Sequence, residues 1–244
     1  MTGTLYGLGV GPGDPELLTL KAHRILTSVP VVAYPAPDTG ASFARSIAAP
    51  YLSGGQREIP IVVPMRVERF PAKAVYDEAA AAIAAELDAG RDVAVLCEGD
   101  PFFYGSFMYL FERLAGRYPI EIVPGVSSMT AASAALQRPL AARSDVLTVL
   151  PAPLADEVLE ARIGDADAVA IIKIGRHFNR IRQLLAKLNL TGHSGYLERV
   201  SLAEQRVLPL SAVTEESAPY FSMILIYKGA EDWIAELGAG GAMR

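Results

Sequence analysis

Apolar positions along this chain switch between two spacings, and the switches mark out its elements. Short, largely apolar runs at residues 5–8, 30–34, 59–63 and 92–96 predict strands. Between them, apolar positions recur every three or four residues, which predicts helices. Residues 15–29 carry Leu17, Leu20, His23/Arg24 and Leu26/Thr27 at helical steps, while Tyr76, Ala79/Ala80, Ile83 and Leu87 form a stripe ended by Gly90. A further helix is expected through Phe107, Leu110, Phe111 and Leu114, and a new strand at 120–123. Alternation of this kind predicts a mostly parallel sheet flanked by helices. A division near Arg117–Pro119 separates a first domain, 1–118, from a second, 119–244. The second half reads as a small-residue helix over 127–136, strands at 146–150 and 168–174, and a helix whose apolar face is Phe178, Ile181, Leu184/Leu185 and Leu188. Short strands at 196–198, 205–208 and 222–228 close it, the last two a candidate antiparallel pair.

Composition adds limits rather than identity. With 51% hydrophobic and 20% charged residues in 244, the chain is of ordinary globular type. Its apolar runs fall far short of the roughly 18–20 residues that span a bilayer, so a cytoplasmic protein without membrane contact is expected. Cys97, the single cysteine, ends an apolar run and reads as a buried thiol. His23, His177 and His193 lack the short spacings of a metal site, so no metal is expected. A net charge of −5 disfavours a nucleic-acid partner while leaving room for a local basic patch that holds an acidic small molecule.

Three loops carry the chemistry. Gly9, Gly11 and Gly13 lie between a strand and a helix, followed by Asp14-Pro15 in N-cap and first-turn positions. The dinucleotide fingerprint G-x-G-x-x-G would need glycine where Asp14 stands, and that carboxylate opposes a pyrophosphate at the helix N-terminus. The second loop, Glu98-Gly99-Asp100-Pro101-Phe102-Phe103-Tyr104-Gly105, follows the strand that ends near Cys97. The third, Pro124-Gly125-Val126-Ser127-Ser128, leads a strand into a helix, with hydroxyls and helix N-terminal amides suited to a polar ligand. Ligands of open α/β sheets bind beyond the carboxyl ends of the strands. Taken singly, each loop reads equally as a tight turn or a helix cap.

In this order and at these separations the loops resemble the tetrapyrrole methylase family, the S-adenosylmethionine-dependent methyltransferases of sirohaem and cobalamin synthesis. The matching pieces are Gly9-x-Gly11-Pro12-Gly13-Asp14 with Leu18-Thr19-Leu20-Lys21, then Gly99-Asp100-Pro101-Phe102 with Gly105, then Pro124-Gly125-Val126-Ser127-Ser128. The resemblance implies two α/β domains with mixed, mostly parallel sheets, unlike the Rossmann-type methyltransferases. It also implies S-adenosyl-L-methionine in a cleft between the domains, S-adenosyl-L-homocysteine as product, a tetrapyrrole substrate on the first-domain side, and a homodimer. Carried over by position, the cofactor residues are Pro12, Glu98, Gly99, Asp100, Phe103, Ser127, Ser128, Ile174, Val200, Phe221 and Ser222. Asp100 is expected to bond the polar end of the cofactor, and Ile174, where relatives often have methionine, to pack beside its adenine or thioether.

Tyr34-Pro35, the helix over 42–52 with Phe43-Ala44-Arg45, Val63-Pro64-Met65, Arg138-Pro139-Leu140, Lys173-Ile174-Gly175-Arg176 and Tyr220-Phe221-Ser222 resemble the branch acting on precorrin-2, or its cobalt form, at meso carbon C20. Members that make precorrin-2 from uroporphyrinogen usually carry aspartate where this chain has Pro35, which removes the obvious general base. The substrate carboxylates call for cations, with Arg45, Arg66, Arg69, Arg138, Lys173, Arg176 and His177 as candidates. Methylation of another tetrapyrrole carbon or of RNA, and a sensor module without turnover, are the competing readings.

Overall fold

The computed structural model describes residues 1–63, 71–231 and 233–234; Pro64, Met65, Arg66, Arg69 and the glycine-rich stretch 238–241 lie outside the described residues. The chain divides into two compact units, Met1–Ser127 and Ser128–Arg244.

In the first unit, strands β1 (Leu5–Gly9), β2 (Val31–Pro37), β3 (Arg57–Val63), β4 (Val93–Cys97) and β5 (Ile120–Val123) form one sheet in the order β3-β2-β4-β1-β5. Every pairing in it is parallel. Strand pleating divides β4 between two cores: Val93, Val95 and Cys97 face one, Ala94 and Leu96 the other. Helices α3 (Pro71–Asp88) and α4 (Phe107–Leu114) cover the first face through Tyr76, Ile83, Leu87, Phe107, Leu110 and Leu114. Helices α1 (Leu20–Ser28) and α2 (Phe43–Ala48) cover the second through Ala22, Ile25, Leu26 and Ile47. Adjacent strands β1 and β4 therefore send their chains to opposite faces, the arrangement that opens a crevice at strand carboxyl ends.

Two expectations change here. The helix expected over 15–29 is broken, because Leu18 is extended and the Thr19 hydroxyl caps α1 by accepting from the Ala22 amide at 3.1 Å. That restart rotates the apolar face, so Leu20 is 91% exposed while Ala22, Ile25 and Leu26 point inward. The division near 118 falls instead after Ser127, because Ile120–Val123 pairs in parallel with β1 and completes the first sheet.

The second unit holds α5 (Ser128–Leu136), β6 (Leu147–Pro151), α6 (Asp156–Asp165), β7 (Ala168–Ile172), α7 (Phe178–Lys187), β8 (Ser194–Glu198), β9 (Arg206–Pro209) and β10 (Ser222–Tyr227). The sheet order is β6-β7-β10-β8-β9, with only β6 and β7 parallel. Both β9 and β10 run antiparallel to β8 and lie on either side of it, so the expected pairing of these two with one another does not form. Helices α6 and α7 pack on one face through Leu159, Ile163, Phe178, Ile181 and Leu185, and α5 on the other through Ala132. No described helix is long and apolar enough to cross a membrane.

Candidate functional site

The three loops singled out in the sequence meet at the carboxyl edge of the first sheet, because β1 lies between β4 and β5. The backbones of the loops after β1 and β4 pair: the Gly99 amide donates to the Gly11 carbonyl at 2.8 Å and the Gly11 amide to Gly99 at 3.3 Å. Gly11 and Gly99 have φ of +79° and +66°, a region glycine adopts without steric cost. The loop after β5 closes still nearer. A Cβ on Gly125 would lie 2.0 Å from the Gly99 carbonyl oxygen, and one on Gly9 would lie 2.5 Å from the Gly125 backbone. Side chains are excluded here by main chain, not by anything that can rotate away.

Asp100 fastens this junction. Its Oδ1 accepts from the amides of Phe102 (2.9 Å) and Phe103 (3.1 Å), and its Oδ2 from the Gly125 amide of the neighbouring loop (3.0 Å). The carboxylate expected to bond the cofactor thus serves first as a clasp between two loops. Pro12 is buried beside the Gly11–Gly99 bridge, whereas Glu98 is exposed and Phe103 turns its ring outward, edge-on to Tyr104. Desolvation raises the Glu98 carboxyl above its ordinary value, opposed by a backbone hydrogen bond at Ala44. Buried Cys97, below this loop, has its thiol pushed well above the ordinary value by desolvation, so it is held as an inert thiol.

Within the second unit, Ile174, Val200, Phe221 and Ser222 gather at one end of the sheet. They follow β7, follow β8 and open β10, and β10 pairs with both of those strands there: Met223 opposite Ile172, Ser222 opposite Glu198. Further main-chain bonds tie the ends together, Arg199 amide to Phe221 carbonyl at 2.8 Å and Ala218 amide to Gly175 carbonyl at 3.2 Å. Ser128 begins α5, whose Ala132 packs in the same cluster as Val200 and Met223. Ile174 is fully buried in the core with Phe178 and Leu210. The Ser222 hydroxyl donates to the Pro219 carbonyl at 2.6 Å.

The cationic candidates separate clearly. Arg138 is 4% exposed and donates to the carbonyls of His193 and Leu225, at 3.1 and 2.7 Å. His193 precedes β8, so Arg138 lies toward the end of the sheet away from Val200, and burial pulls its guanidinium down to about 10. It is a structural cation, which overturns its place among the substrate residues. Arg45 makes two bonds to Glu58, at 2.6 and 2.8 Å, and Tyr34 donates to the same carboxylate at 2.6 Å. The guanidinium and the phenol hold Glu58 down to about 2. Lys173 and Arg176 are exposed at the end of β7, Lys173 with φ of +58°. His177 beside them is held below its ordinary value by desolvation and by Arg180 and Arg176. Arg66 lies outside the described residues.

Residues 4–214 match the model for Tetrapyrrole (Corrin/Porphyrin) Methylases. The chain belongs to that family. Cobalamin biosynthesis protein CobIJ of Mycobacterium tuberculosis (strain ATCC 25618 / H37Rv) is 47% identical over 235 residues, covering 93% of this chain and 46% of that protein. The chain thus spans about half the length of this relative. Precorrin-2 C(20)-methyltransferase of Sinorhizobium sp is 38% identical, covering 92% of this chain and 95% of the relative. Among solved structures, uroporphyrin-III C-methyl transferase from Thermus thermophilus, complexed with S-adenyl homocysteine, superposes with a TM-score of 0.67 at 24% identity, over 91% of this chain and 92% of that one. At that identity it shares the fold.

Proposed function

We propose that this tetrapyrrole methylase transfers a methyl group from S-adenosylmethionine to meso carbon C20 of precorrin-2, releasing S-adenosylhomocysteine, and works as a cytoplasmic homodimer. The observation that carries the reading is the near end-to-end match to a precorrin-2 C(20)-methyltransferase. Pro35, in place of the aspartate of the uroporphyrinogen branch, agrees with it.

In this reading the residues assigned to the cofactor are Pro12, Glu98, Gly99, Asp100, Phe103, Ser127, Ser128, Ile174, Val200, Phe221 and Ser222. Their chemistry suits the molecule. Amides at the start of α5 offer a place for its carboxylate, since a helix N-terminus favours negative charge. The outward rings of Phe103 and Phe221, each 39% exposed, offer apolar faces to adenine and thioether. The bound sulfonium supplies a methyl group already activated toward attack by an electron-rich carbon. What remains for the chain is to hold carbon, methyl and sulfur in line, a task in which orientation alone is worth several orders of magnitude in rate. No residue is assigned as general base. Lys173, Arg176 and Arg66 are assigned to the substrate carboxylates, while His177, held neutral near pH 7, contributes hydrogen bonding rather than charge.

The test is to incubate the purified protein with S-adenosylmethionine and either precorrin-2 or its cobalt complex. Mass and absorption spectra are expected to show gain of one methyl group at C20, and light scattering a mass twice 26.0 kDa. Methylation at another carbon, or of uroporphyrinogen, overturns the branch. A monomer overturns the assembly.

A further inference from the structure

The segment after β8 is built with more care than a surface hairpin needs. Its seven residues, 199–205, join β8 to β9, and the last register pair before the loop opens is Glu198 opposite Arg206. Glu198 is 5% exposed, and its Oε1 accepts from the Tyr196 hydroxyl at 2.6 Å and from Arg206 Nη1 at 3.0 Å. A carboxylate this deep is retained only with a cation and hydrogen bonds around it. Arg206 is itself turned by a second acceptor, Glu215, at 2.9 Å. Above this clasp, two residues that are not glycine, Arg199 and Ser201, hold φ of +47° and +65°, with buried Val200 between them. The Gln205 side chain accepts from the Ser201 amide at 2.8 Å, and the Leu202 amide donates to Arg199 at 3.0 Å. Left-handed backbone at residues with a Cβ persists where the surroundings over-determine it, and it gathers at ligand clamps.

We infer that Glu198 is a positioning residue for the cofactor: through Arg206 and Tyr196 it fixes the base of the loop, and so holds the Arg199–Ser201 backbone in the shape that meets the cofactor at Val200. This rests on the proposed function, which assigns Val200 to the cofactor. Glu198 touches neither cofactor nor substrate. Its effect is on the shape of the main chain beside them. The alternative is a clasp that serves only the stability of the β8–β9 hairpin.

The two roles separate by measuring S-adenosylhomocysteine affinity by calorimetry, melting temperature, and Michaelis constants for both substrates in the full chain. Glu198→Ala and Arg206→Ala are each expected to weaken S-adenosylhomocysteine binding about tenfold, the scale of one lost charged hydrogen bond. The double variant is expected to be no weaker than the worse single, because both remove one clasp. The Michaelis constant for S-adenosylmethionine should rise in step, with that for the tetrapyrrole and the saturated rate unchanged within about twofold. Glu198→Gln, which keeps an acceptor for Tyr196, should recover part of the affinity. Should the Glu198 variants fail to fold, Gln205→Ala reads the same loop from an exposed position, with an expected loss of about threefold in affinity and little change in melting temperature. Folded variants that melt earlier yet bind S-adenosylhomocysteine as the parent does overturn the inference. A parent chain that binds no S-adenosylhomocysteine overturns the proposed function instead.

Discussion

The two sheets reach the same kind of loop by opposite routes. In the first unit every strand is parallel, and the loops at its carboxyl edge turn on glycine: Gly11 and Gly99 take the positive φ angles, and Gly9 and Gly125 let main chain touch main chain. In the second unit three of four pairings are antiparallel, and the corresponding edge turns on Lys173, Arg199 and Ser201, residues for which the same backbone region is costly. One edge is shaped by leaving atoms out. The other is forced into shape by side chains, Glu198, Arg206 and Gln205, that hold the loop from beneath. Loops of the first kind are intolerant of added atoms, and loops of the second kind are sensitive to lost partners.

The sharpest way to break this contrast is to add one methyl group to each unit. Gly125→Ala places a Cβ against the Gly99 carbonyl and the Gly9 backbone, and is expected to cost about 3 kcal/mol in urea unfolding. Gly192→Ala in the second unit, with nothing within 4 Å of the added carbon, should change stability by less than about 0.5 kcal/mol. Equal effects would mean that close approach does not hold the first edge. A smaller effect comes from the clasp. Asp100→Ala removes the acceptor of three amides and should cost about 2 kcal/mol, whereas Asp100→Asn, which keeps one oxygen for Phe102 and Phe103, should cost about 1 kcal/mol. If the asparagine variant is as damaging as alanine, the bond to Gly125 dominates. The smallest effect sharpens the other side: Arg199→Gly relieves left-handed strain and should raise unfolding free energy by about 0.5 kcal/mol, after the entropy glycine adds to the unfolded chain. A loss there would show that Arg199 contributes packing or charge beyond its backbone.

This contrast also explains what could be read in advance. The strands of the first unit and the stripes Tyr76–Leu87 and Phe178–Leu185 were legible because burial imposes a period on sequence. The glycine loops were legible because glycine marks places where other residues do not fit. Helix α6 escaped notice: over Asp156–Asp165 only Leu159 and Ile163 are buried, too few to set a visible period. Leu20 misled because apolar spacing gives no warning of a restart, although Thr19 was a cap in plain sight. Position in a motif brought out the loops around Gly11, Gly99 and Gly125, which the fold brings together, but it carried no information on partners, so Arg138 passed for a substrate cation while bound to carbonyls of its own fold. The buried pairing of Glu198 left no mark either, because a carboxylate next to arginine in sequence looks like surface until the strand pairing places Arg206 across from it.

The place of β1 between β4 and β5 bears on how the chain acquires its shape. Leu5 finds its neighbours in Val93 and Ile120, so the first strand of this unit stays unpaired until most of the unit has followed it. In the second unit β8 and β9 close across a short loop and can pair as soon as both exist. Pairings between distant segments form slowly because the intervening chain must first lose its freedom. The glycine junction after β1 is therefore among the last features of its unit to assemble. Until then Leu5 and Leu8, fully enclosed in the finished sheet, are open to solvent and to other chains.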